Sequence, residues 1–149
     1  VPRLEASPLY QDKAFAYRLG PQRYHQDYYN EFVLPPAHLV TQALRQALGA
    51  TRRYVVVSPS SALVPRYALE GTLVQIYAHK EPPSAVLELE LRLMENRPGG
   101  PRLIWHHTYR RQRDLGEFSP KTAMAAWNAA LEDILQTLPR DLPQLSAGE

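Results

Sequence analysis

Two histidines stand side by side in "RLIWHHTYRRQR", His106 and His107, and histidine is the side chain best suited to proton transfer near neutral pH and to metal binding. Neighbours on a strand leave opposite faces, so this pair is not placed to share one metal and reads as two ordinary strand histidines. His25 and Asp27 are two residues apart, the spacing that brings both to one strand face, where a carboxylate could orient an imidazole as a general base. A single pair of this kind is too common to carry a mechanism. Glu88 and Glu90 also share a strand face and could form an acid/base pair, but nothing in the sequence marks a pocket beside them, and they read as solvated surface. There is no glycine-rich phosphate loop, no G-x-S-x-G nucleophile elbow and no H-x-x-x-H pair. The chain is therefore expected to need no metal, no cofactor and no catalytic group. Its catalytic alternative is a hydrolase built on His25, His79, His106 or His107.

The elements that would position these residues can be read from periodicity. "AFAYRLG", Ala14 to Gly20, carries Phe15, Tyr17 and Leu19 at period two and predicts a strand, followed by a turn at Gly20-Pro21. Tyr24, Tyr28 and Phe32 fit one side of a strand or of a helix, and an extended start is favoured because the first half lacks strong helix formers. Leu39, Val40, Ala43, Leu44, Ala47 and Leu48 form a helical stripe opened by Pro36 and closed by Gly49. "RYVVVS", Arg53 to Ser58, reads as a strand buried on both faces. Three longer strands follow, Tyr67 to Lys80, Ser84 to Glu95 and Arg102 to Arg113, joined by "EPPS" and "NRPGGP", whose proline and glycine suit turns between antiparallel neighbours.

In the second of these strands Leu87, Leu89, Leu91 and Leu93 alternate with Glu88, Glu90 and Arg92, so one face meets a core and the other meets water or a partner. Ser119-Pro120 caps a last helix with Ala123, Trp127, Ala130, Leu131, Ile134 and Leu138 on one stripe. The expected fold is α+β: a mostly antiparallel sheet with two amphipathic helices, near 36–48 and 120–138, packed on one face. Residues 1–142 make one domain with 143–149 as a flexible tail, and the proline-rich stretch after Pro139 is expected to fray.

Composition bounds the partners. The 149 residues, 44% of them apolar, suffice for one domain with a real core. Lys+Arg (17) and Asp+Glu (15) nearly cancel, and the basic residues are scattered as pairs such as Arg52-Arg53 and Arg110-Arg111, so nucleic acid is not the expected partner. No apolar run approaches the length of a membrane-spanning helix. The chain has no cysteine and begins at Val1, and any targeting segment is expected upstream of it.

The segment from Tyr17 to Phe32 is crowded with aromatics: Tyr17, Tyr24, Tyr28, Tyr29 and Phe32. Some must pack under the helices, because a domain of this size needs aromatic core. Tyr29, opposite Tyr24 and Tyr28 if the segment is extended, is the one expected outside, and exposed tyrosines favour protein contacts.

Taken in order, these stretches resemble one family. "AFAYRLGPQRYHQDYYNEFVLPPAHLVTQALRQAL" is similar to the opening of the ABC-type transport auxiliary lipoproteins, the PqiC-like group. "RYALEGTLVQIYAHK", with Leu69 and Gly71 as its Leu-x-Gly, then "AVLELELRLME", the strand to "YRRQR" and a terminal helix bearing Trp127 follow in the family's order. The resemblance spans roughly residues 4 to 138. It implies a bacterial, non-enzymatic periplasmic protein, tethered to the outer membrane by an N-terminal lipid on a cysteine that would lie upstream of Val1. It also implies work beside an MCE-domain protein and inner-membrane components of an ABC-type system that moves lipids or other hydrophobic molecules. The expected mode is docking, onto such a partner or as a homo-oligomer, through Tyr24, Tyr28, Tyr29, Glu88, Glu90 and Arg92. The alternative is a small carrier holding a hydrophobic ligand between sheet and helices.

Overall fold

The structure is a computed structural model that describes residues 2–9, 16–20, 23–26, 36–58, 60 and 62–146, with 16–20, 23–26 and 36 described as backbone. Its elements are β1 (Arg3–Ala6), β2 (Ala16–Gly20), β3 (Arg23–Gln26), α1 (Pro36–Ala50), β4 (Val55–Val56), β5 (Tyr67–His79), β6 (Ser84–Arg97), β7 (Gly100–Asp114) and α2 (Pro120–Asp141). The fold is α+β, as the alternation and the two helical stripes require.

Three long strands, β5, β6 and β7, form an antiparallel meander. Along the other edge of β5 lie two short strands end to end: β1 beside Tyr67–Leu69 and β2 beside Tyr77–His79, both parallel to it. β4 extends the sheet beyond β1, and β3 extends it beyond β2. Among the described residues the sheet is thus open and seven-stranded. Sequence reading does not anticipate β1, whose Leu4 and Ala6 are buried and whose Arg3 and Glu5 are not.

Both helices pack on the same sheet face, α1 over β1 and β4 and α2 over β6 and β7, and they touch each other. α2 starts as expected. The Ser119 hydroxyl accepts the N–H of Thr122 at 3.1 Å, the Thr122 hydroxyl accepts the N–H of Ser119 at 3.1 Å, and Pro120 takes the first turn, where no amide donor is needed. Its buried stripe is Ala123, Ala126, Trp127, Ala130, Ile134 and Leu138. The indole N–H of Trp127 forks between the carbonyls of Tyr77 and Val86, at 3.2 and 3.1 Å, and so fixes the helix over the β5–β6 pair.

Four expectations are corrected. The "RYVVVS" strand shrinks to Val55–Val56, and Val55 is 42% exposed, because β4 lies at the sheet margin with β1 as its one described neighbour. The stripe of α1 is centred on Val40, Thr41, Leu44 and Leu48, leaving Leu39 exposed. α1 runs through Gly49 to Ala50, and the chain reverses at Arg52, which takes the left-handed region (φ 58°). The chain does not fray after Pro139 in the described part: α2 continues to Asp141, Leu142 is buried, Leu145 packs against the core, and the Ser146 N–H donates to the Tyr67 hydroxyl at 3.1 Å.

One close approach explains the Leu-x-Gly sequence. A Cβ on Gly71 would come within 2.7 Å of Leu91 Cδ2, 2.8 Å of Leu9 Cδ2 and 2.9 Å of the Glu90 carbonyl oxygen. The segment after β1 crosses the sheet there, and no side chain fits beneath it.

Candidate docking surface

On β6 the leucines at 87, 89, 91 and 93 are sealed under the helices, so pleating sends Glu88, Glu90 and Arg92 to the opposite face. Register sets their neighbours. Glu88 lies between Gln75 and Arg110, Glu90 between Thr72 and Thr108, and Arg92 between Glu70 and His106. The Arg110 guanidinium is 3.7 Å from the Glu88 carboxylate, and Arg92 donates to Glu90 at 2.5 Å. These are partly exposed pairs, worth at most about 1 kcal/mol each. No helix covers this face among the described residues. It is a polar platform of mixed charge whose acids and bases are engaged with one another, an arrangement suited to recognition.

Of the sequence-predicted contact residues, the structure brings Glu88, Glu90 and Arg92 together and keeps Tyr24 apart. The backbone of Tyr24 lies in β3, opposite Arg18 of β2, at the margin of the sheet and two strands away from β5. Tyr28 and Tyr29 lie outside the described residues, as do Asp27 and Phe32.

The histidines part as expected. His106 points to the open face beside Arg92, whereas His107 faces the helix side, stacked on Trp105 (6.3 Å between centroids) and edge-on to Tyr109 (4.5 Å). His79 ends β5, with Nδ1 3.4 Å from the Pro82 carbonyl, and the backbone of His25, in β3, pairs with Tyr17 of β2. Among the described residues no three of His, Cys, Asp and Glu gather as a metal site. No described helix is long and apolar enough to cross a membrane.

Two recesses among the described residues bear on ligand carriage. The one between sheet and helices, lined by Leu39, Val40, Ile76, Leu87, Met124 and Leu131 among others, is partly open and holds about 40 Å³. That is near the space one water claims in the liquid and far below the roughly 300 Å³ at which small-molecule pockets begin. The second, on the open face beside Tyr77, His79, Pro82, Ser84 and Arg110, holds about 250 Å³ and is open to solvent.

Sequence reading missed three side-chain clusters. The Tyr109 hydroxyl donates to Asp141 at 2.7 Å, and burial, reinforced by that bond, pushes its pKa above the ordinary phenol value. Arg111 donates to Asp133 at 2.5 Å, a second tie between β7 and α2. Glu95, buried, accepts from Arg97 and lies 3.5 Å from Arg66. The Arg97 hydrogen bond, with charge from Arg97, Arg66 and Arg102, holds its carboxyl below the usual range.

The sequence matches no family model and no curated protein. Solved structures share its fold. A DUF330-family protein from Xanthomonas campestris is 16% identical over 92% of this chain and 80% of its own, with a TM-score of 0.77. An uncharacterized protein is 14% identical over 95% and 92%, with a TM-score of 0.74. A hypothetical protein of Chlamydia trachomatis, CT253, is 10% identical over 94% and 96%, with a TM-score of 0.63. At such identities the likeness is one of fold, and function has to be argued from the surface.

Proposed function

We propose that this chain is a non-catalytic, periplasmic component of a bacterial lipid-transport system, held at the outer membrane by an N-terminal lipid and acting by docking onto an MCE-domain protein that works with inner-membrane transport components. The sequence resemblance over roughly residues 4 to 138 suggests the system. The observation that carries the mode of action is the division of the sheet: one face is filled by two helices, and the other presents Glu88, Glu90, Arg92 and Arg110 with no described element over it. The carrier alternative needs a cavity between sheet and helices, and the recess that the described residues form there, about 40 Å³, is not one that takes an acyl chain. Self-association is the companion reading, because the acids of one copy complement Arg92 and Arg110 of another.

The test is co-purification from the native bacterium after Glu88→Lys with Glu90→Lys. Loss of an MCE-type partner, with the fold intact by circular dichroism, supports the proposal. Unchanged partner recovery and unchanged lipid transport overturn it. A change in sedimentation mass alone assigns the face to self-association.

A further inference from the structure

The net charge of +2 hides a polarised distribution. Register places Arg3, Arg66, Glu95 and Arg102 at one end of the sheet: Leu4 lies opposite Tyr67, Tyr67 opposite Glu95, and Glu95 opposite Arg102. The Arg66 N–H donates to the Arg3 carbonyl at 3.2 Å, and Arg97 closes the set through its bond to Glu95. Arg66, Arg97 and Arg102 thus surround one buried carboxylate, with Arg3 beside Arg66 at the same end. The opposite end, at the β5–β6 turn, mixes Lys80, Glu81, Arg113 and Asp114.

The same end carries aliphatic tips. Val64 is 73% exposed in the segment leading to Pro65, whose carbonyl accepts the Asn96 side chain at 3.0 Å, so this segment runs beside the end of β6. Leu103, 46% exposed, stands opposite Met94 four residues past the β6–β7 turn. That turn projects clear of the body: ideal Cβ atoms on Gly99 and Gly100 would meet nothing within 4 Å.

We propose that this end of the sheet docks on an anionic lipid bilayer, with Val64 and Leu103 entering the headgroup region and Arg3, Arg66, Arg97 and Arg102 meeting lipid phosphates. Charge complementarity selects an anionic surface. The aliphatic tips select a bilayer over an acidic protein, whose contact would be expected to centre on aromatic side chains packed in a flat patch. The proposal rests on the arginines and aliphatic tips alone, independently of partner docking.

The test is co-sedimentation of the 149-residue chain with vesicles of phosphatidylcholine alone and of phosphatidylcholine mixed with phosphatidylglycerol. Binding is expected to the mixed vesicles only, and to weaken as salt is raised. Arg3→Gln with Arg102→Gln, both exposed positions, should lower partitioning roughly twenty-fivefold, at about a fivefold loss per arginine. Val64→Ser with Leu103→Ser should remove the part that survives high salt. Absence of binding to mixed vesicles at low salt overturns the proposal, as does equal binding by the arginine variant. Binding to polyglutamate-coated beads without binding to vesicles overturns it in favour of an acidic protein. Partner co-purification does not enter these readings, so the two proposals fail separately.

Discussion

The Thr41 hydroxyl accepts the backbone N–H of Leu9 at 3.0 Å and donates to the Ala37 carbonyl at 2.8 Å, so one buried side chain ties the segment after β1 to the first turn of α1. Arg45 adds a second tie, its Nε donating to the Ala6 carbonyl at 3.1 Å. Thr41→Val keeps the shape and strands the Leu9 N–H. It should cost about 1–3 kcal/mol, the penalty for an unsatisfied buried donor. Thr41→Ser should retain most of the stability. Urea midpoints for the two variants check this, and equal midpoints would show that the bond is dispensable.

Gly71→Ala should destabilise by about 1–3 kcal/mol, since the Glu90 carbonyl oxygen, at 2.9 Å from the new Cβ, is backbone and cannot swing aside. Gly99→Ala, with open space around it, is the control and should lie within about 0.5 kcal/mol of the parent. Thermal melts of the pair decide the matter.

Tyr109 gives a pH dependence with a definite sign. Its folded pKa is raised, so its contribution is complete below the unfolded value of about 10 and is lost as pH rises through the folded value. Tyr109→Phe should cost on the order of 1 kcal/mol at neutral pH by removing the bond to Asp141, and should flatten the alkaline limb of the stability curve. A limb as steep as the parent's would trace it to other groups.

Glu95 has the opposite sign. Its pKa is lowered, so its stabilisation is present above the unfolded carboxylate value of about 4.3 and fades as pH falls through the folded one. Arg97→Gln should therefore make stability less dependent on acid pH. Denaturant midpoints between neutral pH and strong acid measure the slope, and an unchanged slope would remove Arg97 as the cause.

Much of the fold was legible. The leucine alternation from 87 to 93 and the Ser119-Pro120 helix start each have one physical solution, and both appear as read. Glu88, Glu90 and Arg92 follow from the same alternation. Their partners could not be read. Counting back from the β6–β7 turn pairs Glu95 with Arg102 and would set Glu88 opposite Tyr109, but an extra residue at Ile104 shifts the register between Leu93 and Met94 and brings Arg110 there instead. β1 was missed because four residues with two buried side chains make no periodic signal, and its place depends on contacts made beyond residue 66. The arginine-rich end was invisible for the same reason, since Arg3, Arg66, Arg97 and Arg102 become neighbours through register alone.

The two short strands ranged along one edge of β5 also set an order of assembly. β5, β6 and β7 can zip as successive hairpins, each nucleated by a short turn, whereas Leu4 must find Tyr67 and Ala16 must find Tyr77 across long loops whose closure costs entropy before any contact repays it. A chain made from its N-terminus can close the β2–β3 hairpin early, but the β5-facing edges of β1 and β2 stay unpaired until β5 follows. For that interval the Leu4-bearing strand and the free edge of β2 are the surfaces most exposed to mispairing.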